Sequence, residues 1–183
     1  MDRDEAQQAL DAIDLARERA LTLRNYARSG PVFAVWGAAW FVINLTAHFD
    51  LAYASLFSAA AIASATAVSV ISGMVAGRRD GDPPATRRRW NLGAALIVFA
   101  ILGLLVLVAP ADRVQANAVI SWLVASAYAI AGLWFGVRIS LLGVVLAAVV
   151  LGAWFLARES FELVMGVVGG GVLVTTGFWL WRS

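Results

Sequence analysis

The chain has 183 residues, of which 61% are hydrophobic and 14% charged, and a net charge of +2. An ordinary soluble domain is about 45–50% apolar and about 25% charged, so this composition excludes a disordered chain, a secreted disulfide scaffold and a water-soluble globule, and points to an integral membrane protein. Cysteine and lysine are absent and His48 is the single histidine, which excludes thiolate metal sites, iron–sulfur clusters, multi-histidine sites and Schiff-base lysines.

Residues 1–29 differ from everything after them. Asp2, Asp4, Glu5, Asp11, Asp14 and Glu18 make up half of the 12 acidic residues. No apolar core of a signal peptide is present in this stretch. Ala6, Ala9, Ile13, Ala16, Ala20, Leu23 and Ala27 are spaced alternately by three and four, the a/d seam of a helix. Acids lead and Arg17, Arg19, Arg24 and Arg28 follow, an order that suits the helix dipole. Ser29, Gly30 and Pro31 are expected to end this cytoplasmic amphipathic helix. Its seam has two possible covers. It packs on its own membrane domain or the headgroup surface, or it joins a second copy or a cytoplasmic protein through close alanine packing.

Residues 30–183 divide into six apolar stretches, at about 31–48, 51–76, 90–109, 118–137, 139–157 and 161–181, each near the roughly 20 residues that a helix needs to cross hydrocarbon. A polar loop is expected over 78–89. A tight turn is expected at Arg138, because about 40 residues of unbroken helix from 118 to 157 would reach about 60 Å. With the N-terminus inside, the inner segments hold Arg3, Arg17, Arg19, Arg24, Arg28, Arg78, Arg79, Arg87, Arg88, Arg89, Arg138 and Arg182, and the outer loops only Arg113 and Arg158. That asymmetry predicts both termini on the cytoplasmic side. Trp90, Trp134, Trp179 and Trp181 then fall at inner ends and Trp122 and Trp154 near outer ends, as an aromatic belt requires. Trp36 and Trp40 sit deeper, one turn apart. Ser55, Ser58, Ser64, Thr66, Ser69 and Ser72 mark the second span for close packing, and Gly166 with Gly170 does the same for the sixth. The run Gly169–Gly171 reads either as packing or as a functional helix break.

No phosphate loop, zincin helix, nucleophile elbow or serine–histidine pair is present, and the spans hold no clear ionisable residue, so the chain reads as non-enzymatic and without a cofactor. One polar constellation stands out. Trp40, Asn44, His48 and Asp50 at the first outer turn, Asp112 and Arg113 at the second, and Arg158 and Glu162 at the third would share one face. They could form a shallow mouth for a small polar ligand, with His48 as a pH sensor. The plainer reading is solvated loops with an Arg158–Glu162 pair at i,i+4. At the other face Arg78, Arg79, Arg87, Arg88 and Arg89 suit anionic lipid headgroups.

The segment Ile101-Leu-Gly103-Leu-Leu-Val-Leu-Val-Ala-Pro110, with the return through Ala131-Gly132-Leu-Trp134, resembles a hairpin of the six-helix acid-resistance inner-membrane proteins of bacteria. The resemblance covers residues 101–138 and implies a six-helix inner-membrane fold. It carries over no functional residue, and the alanine seam departs from that family. Ala34 and Ala38 form an A-x-x-x-A similar to the docking motif of energy-coupling-factor transporter membrane subunits. The expected fold is therefore all-α: a polytopic bundle of six transmembrane helices in a bacterial inner membrane, preceded by the cytoplasmic helix 1–29. The expected function is a scaffold or regulatory partner acting through that helix, with a small transport or substrate-binding subunit as the alternative. Nucleic acid is not an expected partner.

Overall fold

A computed structural model describes residues 3–79 and 84–182, with side chains described for all of these except Arg3, Ala6, Arg78, Arg79, residues 84–91 and Ala94. The described chain is all-helical. In order come α1 (Arg3–His48), α2 (Ala54–Arg79), α3 (Pro84–Val108), α4 (Arg113–Phe135), α5 (Val137–Leu156), a 3-10 turn (Arg158–Ser160), α6 (Phe161–Val164), a π-turn (Met165–Gly169) and α7 (Gly170–Trp181). Five stretches are long and apolar enough to cross a membrane: within α1, Ala54–Gly77, α4, α5 and Arg158–Trp181. The shorter apolar run Ala95–Val108 belongs to α3.

The helix end expected at Ser29, Gly30 and Pro31 does not form; α1 runs through them for 46 residues with Pro31 inside, about 69 Å of rod. Pro31 removes one i→i−4 bond, but the carbonyl that loses it belongs to Ala27, whose position is exposed. The Ser29 hydroxyl turns back onto its own helix, donating to the carbonyls of Asn25 at 2.8 Å and Tyr26 at 3.3 Å. Gly30 is a contact point, not a terminator: a Cβ there would lie 2.7 Å from the carbonyl oxygen of Gly177.

That contact belongs to a glycine seam between α1 and α7. A Cβ on Gly37 would lie 2.8 Å from Gly170 O, one on Gly170 would lie 2.9 Å from Gly37 O, and one on Gly177 would lie 2.6 Å from Ala34 N. Backbone therefore meets backbone. Between apolar helices in lipid, dispersion at such close range replaces the hydrophobic drive available in water. Of the A-x-x-x-A pair, Ala34 lies under Gly177, whereas Ala38 is exposed and lines an open groove beside α2. The glycine run of the last span is thus packing at Gly170, and the π-turn at Met165–Gly169 lies beside it. Gly171 has nothing within 4 Å.

The α4–α5 hairpin is equally tight. Gly143 lies against Ala125 and Ala129, Gly132 against Ser140, and the Ser140 hydroxyl donates to Ala129 O at 2.7 Å. The turn falls at Gly136, two residues before the expected Arg138. Its φ of +123° is a conformation that side chains other than hydrogen disfavour. Tyr26 of α1 closes this end: its hydroxyl accepts from Arg138 N at 3.3 Å, and the Arg138 guanidinium lies over the rings of Tyr26 and Trp179.

Tyr26, Phe33, Ala125, Ile139, Leu142, Leu146, Leu173 and Leu180 form the main core between α1, α4, α5 and α7. A second cluster (Val150, Ala153, Phe161 and Met165) lies toward the other end, and Trp40 packs against both. α2 leans on α1, where Trp36 donates from Nε1 to Ser69 Oγ at 2.9 Å and Ala65 is buried. The helices also begin and end differently from the expected spans. α2 continues to Arg79 and α3 starts at Pro84, so the polar loop shrinks to residues 80–83, which lie outside the described residues. α2 starts at Ala54, not 51, and α4 starts at Arg113, not 118.

Candidate functional site

At the end of the bundle away from Gly136, three helix junctions meet. α1 stops with hydrogen bonds from Asp50 N to Ala47 O at 3.2 Å and from Leu51 N to Thr46 O at 3.1 Å. Asp50 sits in the left-handed region at φ 43°, so this is a Schellman stop, and an Asp tolerates the place usually given to Gly. α4 starts on a cap: Asp112 Oδ1 accepts from Gln115 N at 2.7 Å, and Gln115 Oε1 accepts from Ala111 N at 2.9 Å. The cap puts Arg113 on the first turn, aimed at α1 and α6.

Arg113 is the keystone. Its Nη2 donates to Ala47 O at 2.9 Å, it pairs with Asp50 Oδ1 at 3.3 Å, and its Nε stands 2.9 Å from Glu162 Oε1. One guanidinium thus ties α1, α4 and α6 together. Glu162 is only 5% exposed, the one strongly buried carboxylate among the described residues. Its Oε1 meets the positive charge but receives no aligned hydrogen bond. Beside this cluster, Arg158 pairs with Asp112 Oδ2 at 3.1 Å while stacking over Trp154 at 4.3 Å. The Arg158–Glu162 pair expected at i,i+4 is not what forms; both residues reach across to α4 and its cap instead. The backbone N–H of Gln115, followed by Arg158, holds the Asp112 carboxyl below its ordinary value.

Below Arg113 a line of side chains leads inward. Asn44, 2% exposed, donates to Trp40 O at 2.9 Å and accepts from Asn117 Nδ2 at 2.7 Å. Ser121 donates to Asn117 Oδ1 at 3.2 Å. These amide and hydroxyl bonds join α1 to α4 where the alternative is an unsatisfied polar group in hydrocarbon. The indole Nε1 of Trp40 is buried without an acceptor.

Of the expected mouth, Asp50, Asp112, Arg113, Arg158, Glu162 and Asn44 come together, and Trp40 adjoins them. His48 does not join them: its ring packs edge-on against Phe49 at 5.0 Å. Arg113 lies among the residues that come together, in contact with Ala47 O, Asp50 and Glu162. A groove of about 280 Å³ adjoins the site between α3, α4 and α5, with Leu104, Val108, Gln115, Trp122, Leu151 and Trp154 in its walls. Asn117 and the Ala47 carbonyl were not among the expected residues. A lone Asn one turn inside Arg113 in an apolar span was the available signal.

The other expected site is the helical seam. Its described members Ala9, Ile13, Ala16, Ala20, Leu23 and Ala27 are all exposed, Ile13 at 62%; Ala6 lies outside the described side chains. The seam does not pack on the membrane domain. α1 meets the bundle through Tyr26, Gly30, Phe33 and Gly37, all buried. At 3.6 residues per turn the seam lies roughly a quarter-turn away from that stripe. The arginines proposed for lipid contact (Arg78, Arg79, Arg87, Arg88 and Arg89) lie outside the described side chains.

No family model, no curated protein and no solved structure matches the chain. The hairpin likeness over residues 101–138 therefore stands on its sequence pattern alone.

Proposed function

We propose that the chain is a non-enzymatic membrane protein of six spans, with α3 as the sixth, set in a bacterial inner membrane with both termini cytoplasmic. On this reading it is a scaffold or regulatory subunit that holds a partner through its N-terminal helix. The observation that carries the reading is the uninterrupted α1. From Tyr26, at the end of the bundle, back to Arg3 there are 23 residues of helix, a post of roughly 35 Å. The described members of its apolar seam, from Ala9 to Ala27, are all exposed. A rigid rod anchored by glycine packing at one end transmits position and tilt to whatever binds the other. The arginine asymmetry supports the orientation. The alternative of an outward-facing ligand pocket is not favoured by the polar cluster, whose Arg113 is engaged by Ala47 O, Asp50 and Glu162.

The test is a complex isolated from native membranes with the full chain and with a chain lacking residues 1–29. The reading expects a stoichiometric partner in the first preparation and its loss in the second, with the membrane domain still folded. An unchanged set of co-purifying proteins would overturn it.

A further inference from the structure

The charges of α1 are sorted around its axis as well as along it. Ala6, Ile13, Ala20 and Ala27 take position a of a heptad, and Ala9, Ala16 and Leu23 take position d. Asp4, Asp11 and Glu18 then fall at f and Asp14 at b, on the face opposite the seam. There Gln7 donates to Asp11 at 3.1 Å. Toward the bundle the positions flanking the seam become basic, with Arg17 and Arg24 at e and Arg19 at g, all exposed, whereas Glu5 holds the first g position. In the described helix the seam is a greasy strip bordered by arginines over residues 17–24, and every acid except Glu5 faces away.

This arrangement discriminates among occupants. Two copies in one bilayer raise their α1 helices in parallel. In a parallel pair g of one helix faces the next e of the other, so Arg19 meets Arg24 of the second copy twice over. The remaining flanking pairs, Glu5 with Leu10 and Ala12 with Arg17, offer no opposite charge. Alanines at a and d bring the axes close and sharpen that repulsion. The bilayer surface is also a poor cover. Ile13 stands 13 residues before Tyr26, roughly 20 Å beyond the end of the bundle, and a continuous α1 holds it there. Resting on the proposal that residues 1–29 engage a partner, we infer that the seam docks an amphipathic helix of a different polypeptide, one whose apolar stripe is flanked by carboxylates facing Arg17 and Arg19.

The experiment uses the full chain in nanodiscs of zwitterionic lipid. Two synthetic three-heptad helices are titrated, both with leucine at a and d, one with glutamate and one with lysine at e and g. The glutamate helix is expected to bind at least tenfold more tightly than the lysine helix, with the preference narrowing in high salt. Ile13→Glu, at an exposed position, should abolish binding, and Arg17→Glu with Arg19→Glu should reverse the preference. Equal binding, a lysine preference, or no binding of either peptide overturns the inference. So does ready interchain disulfide formation by Ile13→Cys, which would place a second copy on the seam. Loss of the native partner on removing residues 1–29, together with a lysine preference, would retain the scaffold reading and reject only the acidic helix.

Discussion

Replacing Arg113 tests how the polar end of the bundle is held. Arg113→Met keeps length and apolar stem and removes the charge. Three contacts go: the Glu162 pair at 2.9 Å, the Asp50 pair at 3.3 Å and the bond to Ala47 O at 2.9 Å. The Asp50 side chain is 82% exposed, so that arm contributes about 0–1 kcal/mol. The Glu162 side chain is 6% exposed, and stripping the partner from a buried charge costs about 3–5 kcal/mol. Arg113 itself is 59% exposed, so water screens the pair and a loss of about 2–3 kcal/mol is expected. Equilibrium unfolding in mixed micelles, followed by tryptophan fluorescence, measures it. Glu162→Gln alone should cost about 1 kcal/mol, because Arg113 keeps solvent and Asp50. The double variant should recover at least half of the Arg113→Met loss, since no buried charge is left alone. A loss under about 0.5 kcal/mol for Arg113→Met, or a double variant as poor as the sum of the singles, would refute the keystone role.

Three further outcomes follow from the same geometry. Gly170→Leu should separate α1 from α7 and cost about 2 kcal/mol or more in the same assay, whereas Gly171→Ala, with nothing within 4 Å, should be neutral or slightly stabilising. Gly136→Ala should destabilise the α4–α5 turn strongly, because the φ of +123° is unfavourable with a Cβ and the new atom overlaps the Tyr26 hydroxyl; Tyr26→Phe, which removes only that hydroxyl, should cost about 1 kcal/mol. Asp112 has a folded pKa below its ordinary 3.8, so its contribution is present above that value and fades as pH falls through the lowered pKa. The thermal stability advantage of the native chain over Asp112→Ala should therefore shrink as pH is lowered past 3.8. An advantage that does not change with pH would show that the carboxylate charge is not what caps α4.

The helical content and the rough span positions were legible because long apolar runs have few alternatives. The errors were local rules overridden by packing. Ser29-Gly30-Pro31 has the composition of a helix end, yet Gly30 is there to let Gly177 approach, and Pro31 frees only an exposed position. Arg138 drew the turn because it was the charge between two apolar runs, while Gly136 supplies the backbone angle. Glu162 reads from the sequence as a loop acid with Arg158 one turn before it. Its burial depends on Arg113, 49 residues away, and no local spacing reports that partner. The seam on residues 1–29 was fully legible as a pattern; what remained hidden was that it lies off the stripe that meets the bundle, and only Tyr26, Phe33 and their neighbours reveal that.

The exposed seam can reach a partner only if α1 is one rod. Because the chain has no cysteine, spin labels can be placed singly at Ile13→Cys and His48→Cys in the full chain in nanodiscs, and their separation measured by double electron–electron resonance. Thirty-five residues of unbroken helix predict one narrow distribution near about 50 Å. A broad distribution, or one centred well short of that, would mean that the chain hinges at Gly30–Pro31 and that the seam does not stand clear of the membrane.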